Sequence, residues 1–304
     1  MKNNLEQNNE DLKQESKNWW SAHSQDYTEA GEIPHQGVPS DMNDEQFLEY
    51  LEKIDINFGL DGYFAQKRGS PLFSSLIPKN LSGKKVLEVG CGLGAHTEML
   101  CKNGADVTSI DLSDTSIEVT RRRLKLKGYW ADVRQADAEK LPFENEYFDY
   151  IWSWGVIHHS PNTLACANEM NRVLKPGGGI GIMLYNRHSF YNWFNVIFRY
   201  GFLKGELLTK SIQELHNRYT DGKEEQGAPL SKYYTKRYIK EVLFPNFSIY
   251  SQKAFEQKRV LSFIIPAKHR RKFERFISDS FYTFLWSKFG FLLFSQGIKK
   301  QISD

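Results

Sequence analysis

The segment Val86–Ala95 constrains the fold of this chain more than any other, because an apolar run leads directly into three alternate glycines. Gly90, Gly92 and Gly94 lack a Cβ, so the turn can adopt positive φ and a ligand can approach its main chain closely. An apolar strand that ends in such a turn is typical of a buried parallel strand in an α/β sheet. Glu88 precedes the glycines, and its charge disfavours a pyrophosphate and suits a cationic amino group.

The turn also satisfies the loose dinucleotide pattern G-x-G-x-x-A, so an NAD-dependent oxidoreductase is an alternative. Val107–Asp111 is predicted to be a second strand that ends in an acid. A carboxylate about 20 residues past the glycines can accept both hydroxyls of a ribose. NAD is not the only ligand with such a ribose, so Asp111 does not discriminate between NAD and other ligands that contain a ribose. Asp137 follows at the next predicted strand end, where a short polar side chain suits an exocyclic amine.

Five motifs follow one another along the chain: E-V-G-C-G-L-G, S-I-D-L-S, A-D-A-E-x-L-P-F, F-D-Y-I-W-S and V-L-K-P-G-G. In this order they resemble the class I S-adenosylmethionine-dependent methyltransferases, and most of all the broad type 11 group related to ubiquinone and menaquinone methyltransferases. The resemblance extends from about Leu81 to Tyr185. It implies an α/β fold with a Rossmann-like sheet of seven strands, the last one antiparallel, with helices on both faces and helical cap insertions.

The resemblance further implies S-adenosyl-L-methionine as the cofactor, with its methionine moiety near Glu88, its ribose near Asp111 and its adenine near Asp137. The expected cofactor residues are Glu88, Gly90, Cys91, Gly92, Gly94, Asp111, Leu112, Asp137, Ala138, Ser153 and Trp154. Asp111 has an alternative role as an acid that stabilises a helix N-terminus. Cys91 needs no role beyond that of a small residue in a crowded turn.

His158 and His159 follow the predicted fourth strand, at the sheet edge where α/β proteins hold their ligands. Histidine titrates near neutral pH, so either ring is a candidate catalytic base for an acceptor that carries a proton. The alternative is a structural pair whose rings bind backbone carbonyls. We expect no metal site, because neighbouring histidines rarely share one ion without a carboxylate.

The acceptor pocket is expected in the variable segments on either side of the motif region. Trp19 and Tyr27 belong to an aromatic cluster that can close over a sulfonium methyl group through cation–π attraction. The alternative is that these rings pack into the core. The expected acceptor-side residues are Trp19, Tyr27, Tyr185, His188, Tyr219 and Tyr233.

Composition restricts the function classes further. The net charge of +3 over 304 residues is too small to indicate a nucleic-acid partner, and no basic stripe dominates the sequence. Cys91, Cys101 and Cys166 are scattered, which predicts neither a disulfide framework nor a zinc site. The polar first 17 residues show no secretory signal pattern, so we expect a cytoplasmic protein.

Two aromatic stretches, 190–203 and 259–294, raise the question of an apolar partner. Neither contains the roughly 18 continuous apolar residues that a spanning helix needs. A basic amphipathic stretch rich in aromatic residues can lie on an anionic membrane surface, so peripheral membrane contact is one interpretation. The other is that both stretches pack as cap helices or form a dimer contact.

The sequence therefore predicts an enzyme that transfers a methyl group by in-line displacement to a small, hydrophobic or lipid-linked acceptor. O-methylation and C-methylation both remain open. One alternative is a sugar or glycan methyltransferase, and another is a non-catalytic protein that binds S-adenosylmethionine or S-adenosylhomocysteine.

The chain divides into five predicted segments. They are a disordered N-terminus at 1–17, a helical cap at 18–78, the cofactor-binding core at 79–186, a cap insertion at 187–245, and C-terminal core strands at 246–304 with a basic, aromatic insertion at 257–287. The sixth strand is expected at Phe247–Phe255 and the seventh at Phe289–Gln296.

Overall fold

A computed structural model describes residues 2–23, 41–58, 76–221, 227–255, 284–285 and 287–301. Tyr27 and nearly all of the predicted insertion at 257–287 lie outside the described residues. The motif region and its flanking strands are described without interruption from Leu76 to Asp221.

A single sheet organises the described chain, and its spatial order is β3-β2-β1-β4-β5-β8-β7, with β6 paired to the end of β5. β8 runs antiparallel to both of its neighbours, whereas β1 to β5 are parallel. This confirms the predicted fold class. The strands are β1 Lys85–Val89, β2 Asp106–Asp111, β3 Asp132–Gln135, β4 Phe148–Trp154, β5 Leu174–Asn186, β6 Tyr233–Tyr234, β7 Phe247–Phe255 and β8 Leu292–Lys299.

Two details differ from the expectation. The two-residue strand β6 adds an eighth strand, since Tyr233 pairs with Tyr185 at the end of β5. The last strand begins at Leu292 rather than Phe289. The residues just before β8 contact the end of β5 instead, where the side-chain amide of Asn186 donates a hydrogen bond to the Gly290 carbonyl.

The strand order reverses between β1 and β4, so the connections from their carboxyl ends leave on opposite faces of the sheet and a crevice forms there. The glycine turn follows β1, Asp111 ends β2, and the two histidines follow β4. All of these predicted site residues therefore lie at one edge of the sheet.

Helices cover both faces of the sheet. They are α1 Lys2–Ala22, α2 Asp44–Phe58, α3 Ala95–Lys102, α4 Asp114–Lys127, α5 Thr163–Val173, a π-helix at Tyr191–Leu203, α6 Ile212–Thr220 and a short helical segment at 236–243. Cys166 and Met170 of α5 pack on one face, and Leu100 of α3 packs on the other. Among the described helices none is long and apolar enough to cross a membrane.

The expectation that residues 1–17 are disordered is wrong, because α1 begins at Lys2. Its sequence is too polar to predict packing, but tertiary polar contacts hold it. Lys13 forms ion pairs with Asp137 at 2.7 Å and with Glu139 at 3.1 Å. Ser21 donates to Ser113, which caps the N-terminus of α4 as predicted. Distant partners of this kind cannot be recognised from local composition.

Three consecutive arginines on α4 have three different surroundings. Arg121 donates to the Val133 carbonyl on β3, and Arg122 pairs with the exposed carboxylate of Asp44. Arg123 is buried and binds the carboxylates of Asp55 on α2 and Glu98 on α3, with a further bond to the carbonyl of Leu93 in the glycine turn. The cap helix α2 is thus joined to the core through a desolvated charge cluster.

Replacing Arg123 by Met leaves the partly buried Asp55 without its ion-pair partner and leaves the buried Glu98 with only the exposed Lys102. Removing one partner of a buried ion pair costs about 3–5 kcal/mol, so we expect Arg123→Met to lower the free energy of unfolding by that amount. Arg122→Met, one residue away, removes an exposed pair and costs about 1 kcal/mol or less. Urea denaturation monitored by circular dichroism measures both. Equal midpoints for the two variants would show that the buried cluster does not stabilise the fold.

Candidate functional site

The glycine turn is shaped by packing against the loop that follows β4. Gly90, Gly92 and Gly94 have φ of +86°, +52° and +78°, values that L side chains rarely adopt. A Cβ on Gly90 would lie 2.1 Å from a methyl carbon of Val156. The Gly90 amide donates to the Ile110 carbonyl at 2.8 Å. The main chain of the turn is therefore held directly beside the loop that carries the histidines.

Glu88 lies inside β1 and is 1% exposed. One of its carboxylate oxygens accepts hydrogen bonds from the hydroxyls of Thr97 and Ser109. The other oxygen is buried and has no hydrogen-bond partner in the described part of the chain. Burial raises the pKa of Glu88 to about 7, against the hydrogen bonds from Ser109 and Thr97, which lower it. A buried carboxylate oxygen without a partner is costly, and a ligand that donates a hydrogen bond or a positive charge satisfies it.

Asp111 connects the glycine turn to α4. Its two carboxylate oxygens accept from the Gly92 amide at 3.0 Å and from the Ser113 amide at 2.9 Å. Burial raises its pKa, while these backbone amides lower it. Asp111 therefore has the alternative structural role as well, because it accepts a hydrogen bond at the N-terminus of α4. Each carboxylate oxygen has a second lone pair, so the same group can also accept a bond from a ligand.

The expected adenine end of the site is covered by α1. Asp137 accepts from the backbone amide of Glu139 at 2.8 Å and from Lys13 at 2.7 Å. Lys13 also pairs with the Glu139 carboxylate at 3.1 Å. Ala138 lies between the two acids and packs against the main apolar cluster. An ammonium group from α1 thus lies against the acid that the sequence associates with adenine.

Not every expected cofactor residue directs its side chain to the crevice. Cys91 packs with Ile117, Leu124 and Val133, and burial raises the pKa of its thiol. The ring of Trp154 packs with those of His96, Trp152 and Phe294, in the core of the opposite face. These two residues bring only their main chain to the site, which sequence spacing does not reveal.

Ser153 and Leu112 complete the expected cofactor set. The Ser153 hydroxyl is buried at the end of β4 and has no hydrogen-bond partner among the residues described. The carbonyl of Leu112 accepts a bond from Gln135 at 2.9 Å, which joins the loops after β2 and β3. Ser153 therefore offers an unsatisfied hydroxyl, and Leu112 offers its partly buried side chain.

The two histidines lie in the turn Ile157–His159 and have different partners. His159 places Nδ1 2.6 Å from the Leu230 carbonyl and Nε2 3.8 Å from a carboxylate oxygen of Asp221. His158 is fully buried with its ring 3.9 Å from the ring of Tyr185, and neither ring nitrogen has a partner within the described residues. Burial lowers the pKa of both imidazoles, which favours the neutral form that accepts a proton.

Two of the expected acceptor-side residues lie beside the histidines. Tyr185 ends β5 against His158, and its hydroxyl donates to Asp221 at 2.5 Å. The ring of Tyr233 lies 5.6 Å from that of Tyr185, and its hydroxyl shares a 2.8 Å hydrogen bond with Thr220. Both rings form an aromatic wall next to the turn.

The other expected acceptor-side residues are not brought to this wall. Tyr219 is a core residue of the insertion, because its ring stacks on Tyr200 at 3.7 Å and its hydroxyl binds Glu206. His188 is exposed in the turn after β5. Trp19 stacks on His23 at 4.4 Å, whereas its neighbour Trp20 packs edge-on against His159 at 4.9 Å.

Sequence reasoning missed two members of the site. Trp20 was visible only as part of an aromatic pair, and helical geometry, not spacing in the sequence, decides which ring faces the crevice. Asp221 is the only aspartate in the segment 187–245, and its position in the sequence does not indicate that its carboxylate lies next to His159. Within the described residues, no cluster of three His, Cys, Asp or Glu side chains is arranged to hold a metal ion.

Comparisons with known proteins agree with this geometry. Residues 87–182 match a protein family described as a methyltransferase domain. A ubiquinone biosynthesis O-methyltransferase of Pseudomonas aeruginosa is 34% identical over 118 residues, which are 38% of this chain and 51% of that protein. Methyltransferase GfsG of Streptomyces halstedii is 39% identical over 104 residues, which are 33% of this chain and 37% of that protein. The chain thus spans about half the length, or less, of these curated relatives.

Solved structures share the fold at low sequence identity. A chain from the complex between the Haloferax volcanii Trm112 methyltransferase activator and a methyltransferase superposes with a TM-score of 0.53 at 15% identity, covering 87% of this chain and 100% of that one. An S-adenosylmethionine-dependent methyltransferase of Methanosarcina mazei gives 0.51 at 17% identity, covering 77% of this chain and 98% of that one. The [4+2]-cyclase SpnF gives 0.50 at 16% identity, covering 87% and 98%.

The buried carboxyl of Glu88 makes stability depend on pH. Its pKa is raised from 4.5 to about 7 on folding, so the folded state binds more protons between these values and stability falls as pH rises through them. Glu88→Gln removes this ionisation. We expect the variant to be more stable than the wild type by on the order of 3 kcal/mol at pH 8 and equally stable below about pH 4.5.

Urea denaturation of the ligand-free protein between pH 4 and pH 8 measures this difference. Glu118→Gln, on an exposed position of α4, is the matched control and keeps the wild-type pH dependence. A difference between wild type and Glu88→Gln that stays constant over the whole range would show that the carboxyl is not destabilised by burial.

Proposed function

We propose that residues 87–182, which match a family described as a methyltransferase domain, act as a class I S-adenosylmethionine-dependent methyltransferase of the type 11 group, and that the protein methylates a small, apolar or lipid-linked acceptor. The main support for this proposal is a set of polar groups at the carboxyl ends of the strands. An unsatisfied buried carboxylate oxygen of Glu88, the acid of Asp111 and the neutral His159 lie at one edge of the sheet, on either side of the glycine turn.

The residues at this edge fit S-adenosylmethionine, which supplies a methyl group on a positively charged sulfur. The free oxygen of Glu88 suits the amino group of the methionine moiety, and the second lone pairs of Asp111 suit ribose hydroxyls. The remaining proposed binding groups are the main chain of Gly90, Cys91, Gly92, Gly94 and Trp154, the Ser153 hydroxyl, and Leu112, Asp137 and Ala138 around the adenine.

Helix α1 supports the proposal as a cover for the crevice. Lys13 reaches the acids at the adenine end, and Trp20, about two turns further along the helix, lies over His159. Excluding water from such a crevice strengthens every electrostatic interaction inside it. We propose that α1 closes the site over both the cofactor and the acceptor.

The aromatic wall favours an apolar acceptor. Tyr185 and Tyr233 are buried and lie against Phe291 at 4.4 Å and 5.9 Å. Rings of this kind supply large apolar contact with a polar tip. The similarity to a protein named as a ubiquinone biosynthesis O-methyltransferase supports an acceptor of this class. We therefore place a lipid-linked acceptor ahead of a sugar.

An exposed apolar surface supports delivery of such an acceptor from a lipid layer. It is called here the aromatic surface and consists of Trp193, Phe194, Phe198, Phe202, Leu203, Leu207, Leu208 and Ile212, each between 39% and 89% exposed. Within the span of this surface, 193–212, Arg199 and Lys204 are exposed cations, whereas Glu206 and Lys210 form an ion pair with each other. An apolar face with cations beside it is complementary to an anionic lipid surface.

Titration calorimetry tests the cofactor assignment. We expect S-adenosylmethionine and S-adenosylhomocysteine to bind, and NAD not to bind. Asp111→Ala loses charge-assisted hydrogen bonds to the ribose and the amide that shapes the turn, so affinity for S-adenosylhomocysteine falls at least about tenfold. Asp106→Ala, at the opposite end of the same strand, is the control and keeps wild-type affinity. Binding of NAD instead, or an unchanged affinity in a folded Asp111→Ala, would contradict the assignment.

Vesicle sedimentation tests the aromatic surface. The wild type is expected to bind phosphatidylglycerol vesicles more tightly than phosphatidylcholine vesicles. The double variant Phe198→Ser, Phe202→Ser loses apolar burial from both rings, so its partition coefficient falls at least about tenfold. Trp130→Ser removes a ring that is 74% exposed on the loop before β3 and leaves binding unchanged. Equal losses in both variants, or a dimer that dissociates in the double variant, would reject the lipid assignment.

A further inference from the structure

We propose that the reaction is an O-methylation in which His159 Nε2 takes the proton of an acceptor hydroxyl while Asp221, held by Tyr185 and Ser231, stabilises the resulting imidazolium. The inference rests on the proposed function and adds to it the atom that is methylated, the base, and a positioning residue for the base. It is carried by the geometry around one imidazole ring.

The hydrogen bond to Leu230 determines the tautomer of His159. Nδ1 lies 2.6 Å from the carbonyl oxygen of Leu230. A carbonyl oxygen can only accept, so Nδ1 must carry the hydrogen and donate it. In the neutral ring Nε2 then holds a lone pair. This nitrogen is buried and makes no hydrogen bond to any described residue.

Two hydrogen-bond donors determine the position of the Asp221 carboxylate. Tyr185 donates to one of its carboxylate oxygens at 2.5 Å and Ser231 donates to the other at 2.8 Å. These two donors fix the carboxylate 3.8 Å from His159 Nε2. That separation is too long for a hydrogen bond, but it is short enough for strong charge attraction in a site shielded from water.

A lone pair and a carboxylate that face each other are both acceptors. The Nε2 lone pair and the Asp221 carboxylate can therefore both bind a group that donates a proton. In a methyl acceptor, that group is a hydroxyl. Once Nε2 is protonated, the imidazolium lies against a fixed negative charge. The same arrangement gives no advantage to a carbon acceptor without an acidic proton. The geometry therefore favours an acceptor with a hydroxyl group, and we assign the methyl group to that oxygen because it is the atom that loses its proton to the base.

Methyl transfer to the hydroxyl oxygen conserves atoms and charge. The acceptor oxygen forms a bond to the methyl carbon while the carbon–sulfur bond breaks and leaves its electron pair on sulfur. The hydroxyl proton passes to His159 Nε2. The products are a methyl ether, S-adenosylhomocysteine and an imidazolium, which returns the proton to solvent after the site opens.

His158 is the weaker choice for the base. It lies beside His159 with ring centroids 4.2 Å apart, but it packs against Tyr185 and forms no ion pair with a carboxylate of the described residues. Burial and the neighbouring imidazole both lower its pKa, well below that of an ordinary histidine. Its rigid, apolar surroundings suit a role in packing the aromatic wall.

Several other charged groups surround the turn. Lys232 donates its ammonium to the carbonyls of Ser160 and Pro161, and Glu139 accepts from the Ser160 hydroxyl. Of the groups that act on the pKa of His159, burial lowers it, and Asp221 and the Leu230 carbonyl raise it. Loss of the Asp221 charge must therefore lower the pKa of His159 further.

The experiment measures the pKa of His159 by ¹⁵N NMR of the imidazole, in the full chain bound to S-adenosylhomocysteine. Asp221→Asn keeps the size of the side chain and removes its charge. We expect the pKa of His159 to fall by on the order of one unit or more, with unchanged affinity for S-adenosylhomocysteine. Asp106→Asn, at the far end of β2, is the charge-matched control and leaves that pKa in place.

A kinetic readout uses a farnesylated catechol as the acceptor probe. In Asp221→Asn the acidic limb of the kcat/KM profile moves to lower pH and kcat falls, because a weaker base takes the proton. Asp221→Glu recovers part of kcat. His159→Gln lowers kcat at least about a hundredfold with cofactor affinity retained, and the fall is at least about tenfold smaller in His158→Gln.

The outcomes separate the two proposals. If the folded Asp221→Asn variant kept both the pKa of His159 and the acidic limb of the kcat/KM profile unchanged, the inference would be overturned. Binding of S-adenosylhomocysteine in the same experiment would still support the proposed function. Methylation of a farnesylated naphthoquinol on carbon, with none on the catechol, would also overturn it. Absence of S-adenosylhomocysteine binding in the wild type would overturn the proposed function itself. If Asp221→Asn does not fold, the comparison of His159→Gln with His158→Gln decides the inference.

Discussion

The bridge that Asp111 makes between two backbone amides is the interaction on which the rest of the site depends. It joins Gly92 in the turn after β1 to Ser113 at the start of α4. The turn holds positive φ at its glycines and packs against Val156. Through that contact, the position of the turn determines where the loop after β4 begins. A single carboxylate thus connects the glycine turn, and through it the loop that carries His159, to the start of α4.

Two polar arrangements in this crevice do not contribute to the stability of the fold. Glu88 has a buried oxygen without a partner, and the lone pair of His159 Nε2 faces the carboxylate of Asp221. Each arrangement disfavours the ligand-free fold, since buried polar groups are stable only when they are satisfied. Strained polar sites of this kind are typical of functional positions, whereas the Arg123 cluster satisfies its charges internally.

The sequence was sufficient to predict the sheet and the cap of α4 at Ser113, because these depend on local patterns. A buried strand, a glycine turn and an acid at a strand end each have a physical signature within a few residues. Helix α1 was missed because polar composition hides contacts that Lys13 makes with acids more than a hundred positions away.

The acceptor side was harder to predict for the same reason. Tyr185 and Tyr219 are equivalent in sequence as tyrosines in an aromatic segment, yet one lies beside the histidines and the other stacks within the insertion. Asp221 joins the site only because the chain returns past the end of β5 and Ser231 orients its carboxylate. Such tertiary placement has no signature in spacing or composition.

The most direct test of the central claim is transfer of a labelled methyl group. The purified chain is incubated with S-adenosylmethionine labelled with ¹³C at the methyl carbon and with a farnesylated catechol, and the product is analysed by NMR and mass spectrometry. The account predicts a ¹³C-methoxy group on the catechol together with an equal amount of S-adenosylhomocysteine. Tight binding of S-adenosylmethionine with no labelled product from this or any other apolar hydroxyl acceptor would contradict it, and would identify the chain as a binding protein without turnover.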